Sequence, residues 1–193
     1  MALNKSSLEE NIKKLLDLEQ EPHATNPQDC AELICDYIDE YLSTAELDPF
    51  PAPGIQPGSP PVPDPVGPAL KVEPGSPVTT DLFKADLIAV MNLQSGDFSS
   101  CGPQLVSDLS VITEVKDSNG YKAPGASVCA NPPDIDAAFN KGKNQENHEA
   151  VAAELADQIH NAVISTTFTA AGAYANGAFL QTPPVPPYVS VLK

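Results

Sequence analysis

The sequence predicts a mainly α-helical protein: a helical hairpin present twice, the copies joined by an extended proline-rich segment, with short β-strands at the C-terminal end. Three observations predict it. Residues 49–77 hold 11 prolines, with Gly54, Gly58, Gly67 and Gly75 between them. Proline fixes φ near −65° and lacks a backbone N–H, so this run enters neither a helix interior nor a central strand. Polyproline-II geometry would extend it to about 80 Å at roughly 3 Å per residue. On either side, apolar residues recur at helical spacing, and two of the helices so marked share their order of residue types. The chain therefore divides into a hairpin over 1–48, an extended arm over 49–78 and a second unit over 79–193.

Ser7 with Glu10 three residues on fits a capping box, and Leu8, Ile12, Leu15 and Leu16 follow on one helical face before Pro22. Asn26-Pro27 sets a cap residue ahead of a proline at the first helical position. Cys30, Ile34, Tyr37, Ile38 and Tyr41 make the next apolar stripe, with Asp36, Asp39 and Glu40 on the wet face. Two antiparallel helices result. A piece this short buries too little apolar surface to stand alone, so it packs on the second unit or on another chain.

Thr80-Asp81 opens a third helix, striped by Phe83, Leu87, Val90 and Met91 and ended at Gly96. Gly102-Pro103 opens a fourth, with Leu105, Leu109 and Ile112 in phase, although residues 111–115 also suit a strand. Residues 117–146, rich in Gly, Asn, Pro, Asp and Lys, read as a long loop. His148–Ser165 is the clearest helix, lined by Val151, Leu155, Ile159 and Ala162. Thr166–Thr169 has the β-branched and aromatic character of a short strand. Pro183–Pro187 forbids helix and central strand alike, and Tyr188–Leu192 alternates as a terminal strand.

The repeat rests on Ala31-Glu32-Leu33 against Ala153-Glu154-Leu155. Tyr37, Tyr41 and Leu42 then fall on Ile159, Val163 and Ile164, and Ser43-Thr44 on Ser165-Thr166. The preceding helices agree in phase, Leu8, Ile12, Leu15 and Leu16 lying opposite Phe83, Leu87, Val90 and Met91. A duplicated hairpin packs its copies about a pseudo-two-fold axis, the second copy carrying residues 95–146 as an insertion.

A net charge of −16 repels a phosphate backbone and anionic lipid, so neither nucleic acid nor a membrane surface is an expected partner. All ten basic residues are lysine, which leaves no guanidinium clamp for phosphate or carboxylate. No apolar run follows Lys5, so no signal peptide is expected, and none approaches the length of a membrane span. Cys30 and Cys35 lie about 140° apart around one helix. Buried free thiols are the expectation for the four cysteines, with a disulfide at Cys101 and Cys129, or a zinc site with His23 or His148, as alternatives. His160 has Asp157 within reach, a structural hydrogen bond being the expected role. Motifs for nucleophilic, phosphate-binding or metal chemistry are missing, so neither catalysis nor a cofactor is expected.

The extended backbone is the remaining functional surface. Pro49, Phe50, Pro51, Ile55, Val62 and Val66 of the arm are candidate partner-binding residues, as are Tyr188, Val189, Val191 and Leu192 of the terminal strand. That strand either completes a sheet edge on a partner or pairs with Thr166–Thr169 in its own chain.

The opening Met1-Ala2-Leu3-Asn4-Lys5-Ser6-Ser7-Leu8, running into a charged amphipathic helix, resembles small virion structural proteins of tailed, especially contractile-tailed, bacteriophages. Ala153–Ile164 followed by Ser165-Thr166-Thr167-Phe168-Thr169 carries the same resemblance. In those proteins a helical hairpin precedes Thr-rich strands that clamp neighbouring subunits. The resemblance implies a non-enzymatic component of capsid, neck or baseplate that fastens larger virion proteins, in a symmetric multi-copy assembly put together in the host cytoplasm. The alternative is a soluble adaptor whose proline segment is the ligand of an aromatic groove.

Overall fold

The computed structural model describes residues 3–17, 24–47, 72–94, 96–117, 122–145, 147–170 and 188–193. Its elements run α1 (Lys5–Leu16), α2 (Pro27–Ser43), β1 (Val72–Pro74), α3 (Asp81–Leu93), α4 (Cys101–Leu109), β2 (Glu114–Asp117), β3 (Lys122–Cys129), α5 (Ile135–Gln145), α6 (His148–Ile164), β4 (Thr166–Ala170) and β5 (Tyr188–Val191). The protein is mainly helical. Strands occur in the middle of the chain as well as at its C-terminal end.

Each helix packs on its neighbour in sequence, and α1 also packs along α6, so the six helices form a closed ring. Apolar stripes drive this. Leu8, Ile12 and Leu15 of α1, Phe83 and Leu87 of α3, and Leu155 and Ile159 of α6 are all at most 2% exposed. Lysines stitch the seams: Lys5 pairs with Asp157 and Lys13 with Glu149 across α1 and α6, Lys84 with Asp36 across α3 and α2, and Lys141 with Glu154 across α5 and α6. Exposed pairs of this kind contribute little individually. Apolar burial carries the ring.

Helix starts differ in detail from the sequence pattern. The cap of α1 is Asn4, whose Oδ1 accepts from the Ser7 N–H, so the helix begins before the expected capping box. Asn26 caps α2 ahead of Pro27, as the sequence predicts. Thr80 stands at the start of α3, but its N–H and hydroxyl both donate to Asp39 Oδ1 at 2.9 and 2.8 Å. The first amides of α3 are instead taken by a carboxylate from α4: Leu82 and Phe83 N–H donate to Asp108 at 3.1 and 2.9 Å.

The strands form one antiparallel sheet in the order β1-β2-β3-β4-β5. Leu47 bridges Val72 of β1 on one side and Leu192, just past β5, on the other. The Leu47 N–H donates to the Val72 carbonyl at 2.9 Å, and Glu46 and Lys193 exchange N–H···O bonds at 2.9 and 2.8 Å. The start of β1 and the residues just past β5 therefore meet at residues 46–47, and the sheet closes there into a small barrel. Leu47, Val72, Val115, Phe168 and Leu192, none more than 1% exposed, alternate with outward-facing positions and fill it. Phe168 crosses above Gly125, where a Cβ would collide with its ring and with the Thr169 carbonyl.

Several expectations are corrected here. Residues 117–146 are no loop: they contain β3 and α5. Their glycine and proline content misleads because Pro124 sits where β3 changes partner, with β2 opposite Pro124 and β4 beginning opposite Gly125. Proline's missing N–H is tolerated at such a switch point. Pro74 likewise lies inside a strand, as the last residue of β1. The expected insertion 95–146 also holds α4 and β2. Consequently α3 pairs with α4, and α6 with α5, where the sequence pattern had joined α3 to α6. The terminal strand β5 pairs with β4 of its own chain, Thr167 opposite Val191 and Ala170 opposite Tyr188.

Replacing Gly125 with alanine is expected to lower stability by about 1–3 kcal/mol, because neither Phe168 nor the Thr169 backbone can yield inside a closed barrel. A urea midpoint shift at unchanged slope reads this out. Val111→Ala, at a position 58% exposed, should move the midpoint by less than about 0.5 kcal/mol equivalent.

Candidate interaction site

The arm residues Pro49, Phe50, Pro51, Ile55, Val62 and Val66 lie outside the described residues, but the roots of their segment are described. Residues 48–71 leave the sheet at Leu47 and return at Val72, and those two residues are bridged to each other. Residues 171–187, which carry the second proline cluster, leave at Ala170 and return at its pair partner Tyr188. Every strand runs antiparallel to its neighbours, and every hairpin is entered from a helix. The connections 48–71, 118–121 and 171–187 therefore depart from one end of the barrel, and the helices attach at the other. Of the terminal-strand candidates, Tyr188 and Val189 have their backbones in the β5 ladder, Val191 is half-buried and Leu192 is 1% exposed.

At the helical end a groove of about 360 Å³ opens between the start of α1 and the second half of α2, lined by Asn4, Ser7 and Asn11 on one side and Tyr37, Glu40 and Tyr41 on the other. Behind it the Tyr41 hydroxyl meets His160 Nδ1 of α6 at 2.6 Å. Burial holds the imidazole below its ordinary pKa, with Lys5 adding to the effect, and burial also pushes the Tyr41 phenol up. Both groups are held neutral. His160 takes Tyr41 as its partner because Asp157 is turned toward α1, where Lys5 neutralises it.

The four cysteines are free thiols, and the Cys101–Cys129 disulfide is not formed. Cys129 points its sulfur at the Ala162 carbonyl of α6, 3.4 Å away. Cys101 opens α4 near Cys35 and Asp86. Burial raises Cys30 to about 11 and Cys35 and Cys101 to about 12, so these three are poor nucleophiles near neutral pH. Among the described residues no three His, Cys, Asp or Glu side chains converge as a metal site. Asp39, expected on the wet face of α2, is half-buried on the α3 start, and burial raises its carboxyl.

Asp108 is a structural residue that the sequence patterns leave unmarked. It is 4% exposed, and burial raises its pKa against the two amide bonds that lower it. A carboxylate between Leu105 and Leu109 on an apolar stripe is the signal that could have found it.

Asp108→Ala should cost about 1–3 kcal/mol by leaving two amides of α3 unpaired in a buried place, read by denaturant titration. For His160 the folded pKa lies below the unfolded one, so the stability of its neutral state is full above the unfolded value of about 6.5 and is lost as pH falls from there through the folded pKa. His160→Gln should therefore destabilise more at pH 7.5 than at pH 5, which paired thermal melts will show. Comparisons of the chain with protein families, with curated proteins and with solved structures return no match.

Proposed function

We propose that this protein is a non-enzymatic structural component of a phage virion that fastens larger subunits through its proline-rich extended segments. One observation carries the reading: both proline-rich stretches are rooted in backbone-paired bases at the same end of a closed barrel. A base that gathers the roots of both proline-rich stretches at one end suits a clamp. Leu47 is bridged both to Val72 of β1 and to Leu192 just past β5, which leaves a partner's strand less edge to add to. Contacts with other chains then fall to the excursions, where Pro49, Phe50, Pro51, Ile55, Val62 and Val66 stand. Extended proline segments lose little conformational freedom when they lie along a partner. The high acidic charge keeps free copies apart before assembly. The resemblance of the opening helix and of the Thr166–Thr169 strand to small virion proteins points the same way.

Limited proteolysis tests it. In isolated protein, cleavage is expected within 48–71 and 171–187, with the ring and barrel left whole. In purified particles the same bonds are expected to be protected. Equal cleavage in both settings would overturn the clamp and favour an adaptor that offers a loose proline ligand.

A further inference from the structure

The element order is one unit written three times: helix, helix, β-hairpin. The first unit is α1, α2 and the hairpin of 46–47 with β1; the second is α3, α4 and β2–β3; the third is α5, α6 and β4–β5. Helices close a ring in this order and hairpins close a barrel in the same order.

Burial register aligns the second helices of the three units. The buried positions of α2, Ala31, Ile34, Cys35, Ile38, Tyr41 and Leu42, recur at one constant spacing as Phe98, Cys101, Gly102, Leu105, Asp108 and Leu109. At a second constant spacing they recur as Ala152, Leu155, Ala156, Ile159, Ala162 and Val163. The same two spacings carry Ala45 at the exit of α2 onto Ile112 and Thr166, all buried. Of the first helices, α1 and α3 follow suit where Leu8, Ile12 and Leu15 match Phe83, Leu87 and Val90, and the shorter α5 keeps the last two as Ile135 and Ala138. At the exits, Thr44 donates its hydroxyl to the Tyr41 carbonyl and Ser165 to the Ala162 carbonyl. These are corresponding atoms. The α2–α6 match lies one residue away from the Ala-Glu-Leu alignment, which would place buried Leu42 on exposed Ile164.

Short connectors join unit to unit: 75–80 from β1 to α3, and 130–134 from β3 to α5. A third connector would lead from Lys193 to α1. Those points lie together, because Lys193 is hydrogen-bonded to Glu46 while Asn4 lines a groove with Tyr41 and Thr44 of the same helix end.

We propose that the chain is a covalent trimer of one helix–helix–hairpin unit about a pseudo-three-fold axis, and that the partner it fits is a ring of three like protein subunits on that axis. Closed rings of equivalent units meet partners of matching symmetry, since each unit then finds the same surface. The choice of partner rests on the virion reading; the threefold unit does not.

The test uses three chains that each keep residues 3–193. Two are circular permutants opened at Ser76 and at Asn131, each with Lys193 joined to Leu3 by a short Gly-Ser linker. The third is joined in the same way and left unopened as a cyclic chain. All three are expected to be monomeric, with the parent's helical circular dichroism and a single cooperative urea transition. If the cyclic chain folds and both permutants do not, the units are not equivalent and the inference is overturned. If the cyclic chain itself fails, the junction is not a missing connector, and the inference is overturned equally. Density of purified particles supplies the second readout. One chain on a three-fold axis among three neighbours is expected, and a general position overturns the partner. Absence from particles would instead count against the virion reading and leave the permutants to judge the repeat.

Discussion

Everything in this molecule hangs on how residues 46–47 are bonded. Two residues supply the closing rung between β1 and the end of β5, and without them a five-stranded sheet would keep two open edges. Unpaired edge amides and carbonyls cost free energy if buried and invite other strands if exposed. Closing the sheet also settles the helices. Each hairpin must be entered from the same end, so the helix pairs are delivered side by side, and their apolar stripes meet in a ring with α6 against α1.

Inside that frame the polar groups that matter are those that tie one helix to the next. Asp108 receives two amides of α3, Asp39 receives Thr80, and Tyr41 reaches His160. Each replaces a local cap or a solvent bond by a bond across a helix junction. The thiols of Cys30, Cys35 and Cys101 fill space and, raised in pKa by burial, are poor nucleophiles. These polar side chains are spent on joining helices to one another.

Much of the helical layer was legible. Periodic apolar residues marked α1, α2, α3 and α6 because a helix buries one face and the spacing of that face survives in sequence. The strand at Thr166–Thr169 was legible from β-branched residues. What could not be read depended on contacts far apart in the chain. Two residues at 46–47 carry no period, so the strand that closes the barrel leaves no local mark. β3 was hidden by Pro124 and Gly125, which signal a turn unless one knows that Pro124 sits at a change of partner and that Phe168 needs the room above Gly125. α5 was hidden by Gly142 and its run of Asn and Lys. The expected duplication of the hairpin rested on residue types that α2 and α6 share, whereas the buried residues at and just before α4 include Phe98, Gly102 and Asp108, a row that residue type does not mark.

Joining Leu47 to both Val72 and Leu192 also bears on how the chain reaches its folded state. Helices can nucleate from neighbours in sequence, but the last rung waits for residues nearly the whole chain apart, and such distant pairings slow folding. Until then β1 and β5 present bare edges. In a crowded compartment the 46–47 segment of one copy can complete the sheet of another, an exchange that leaves every bond satisfied and yields tangled dimers. Rapid dilution during refolding, which favours encounters within one chain, is the condition under which this molecule shuts on itself.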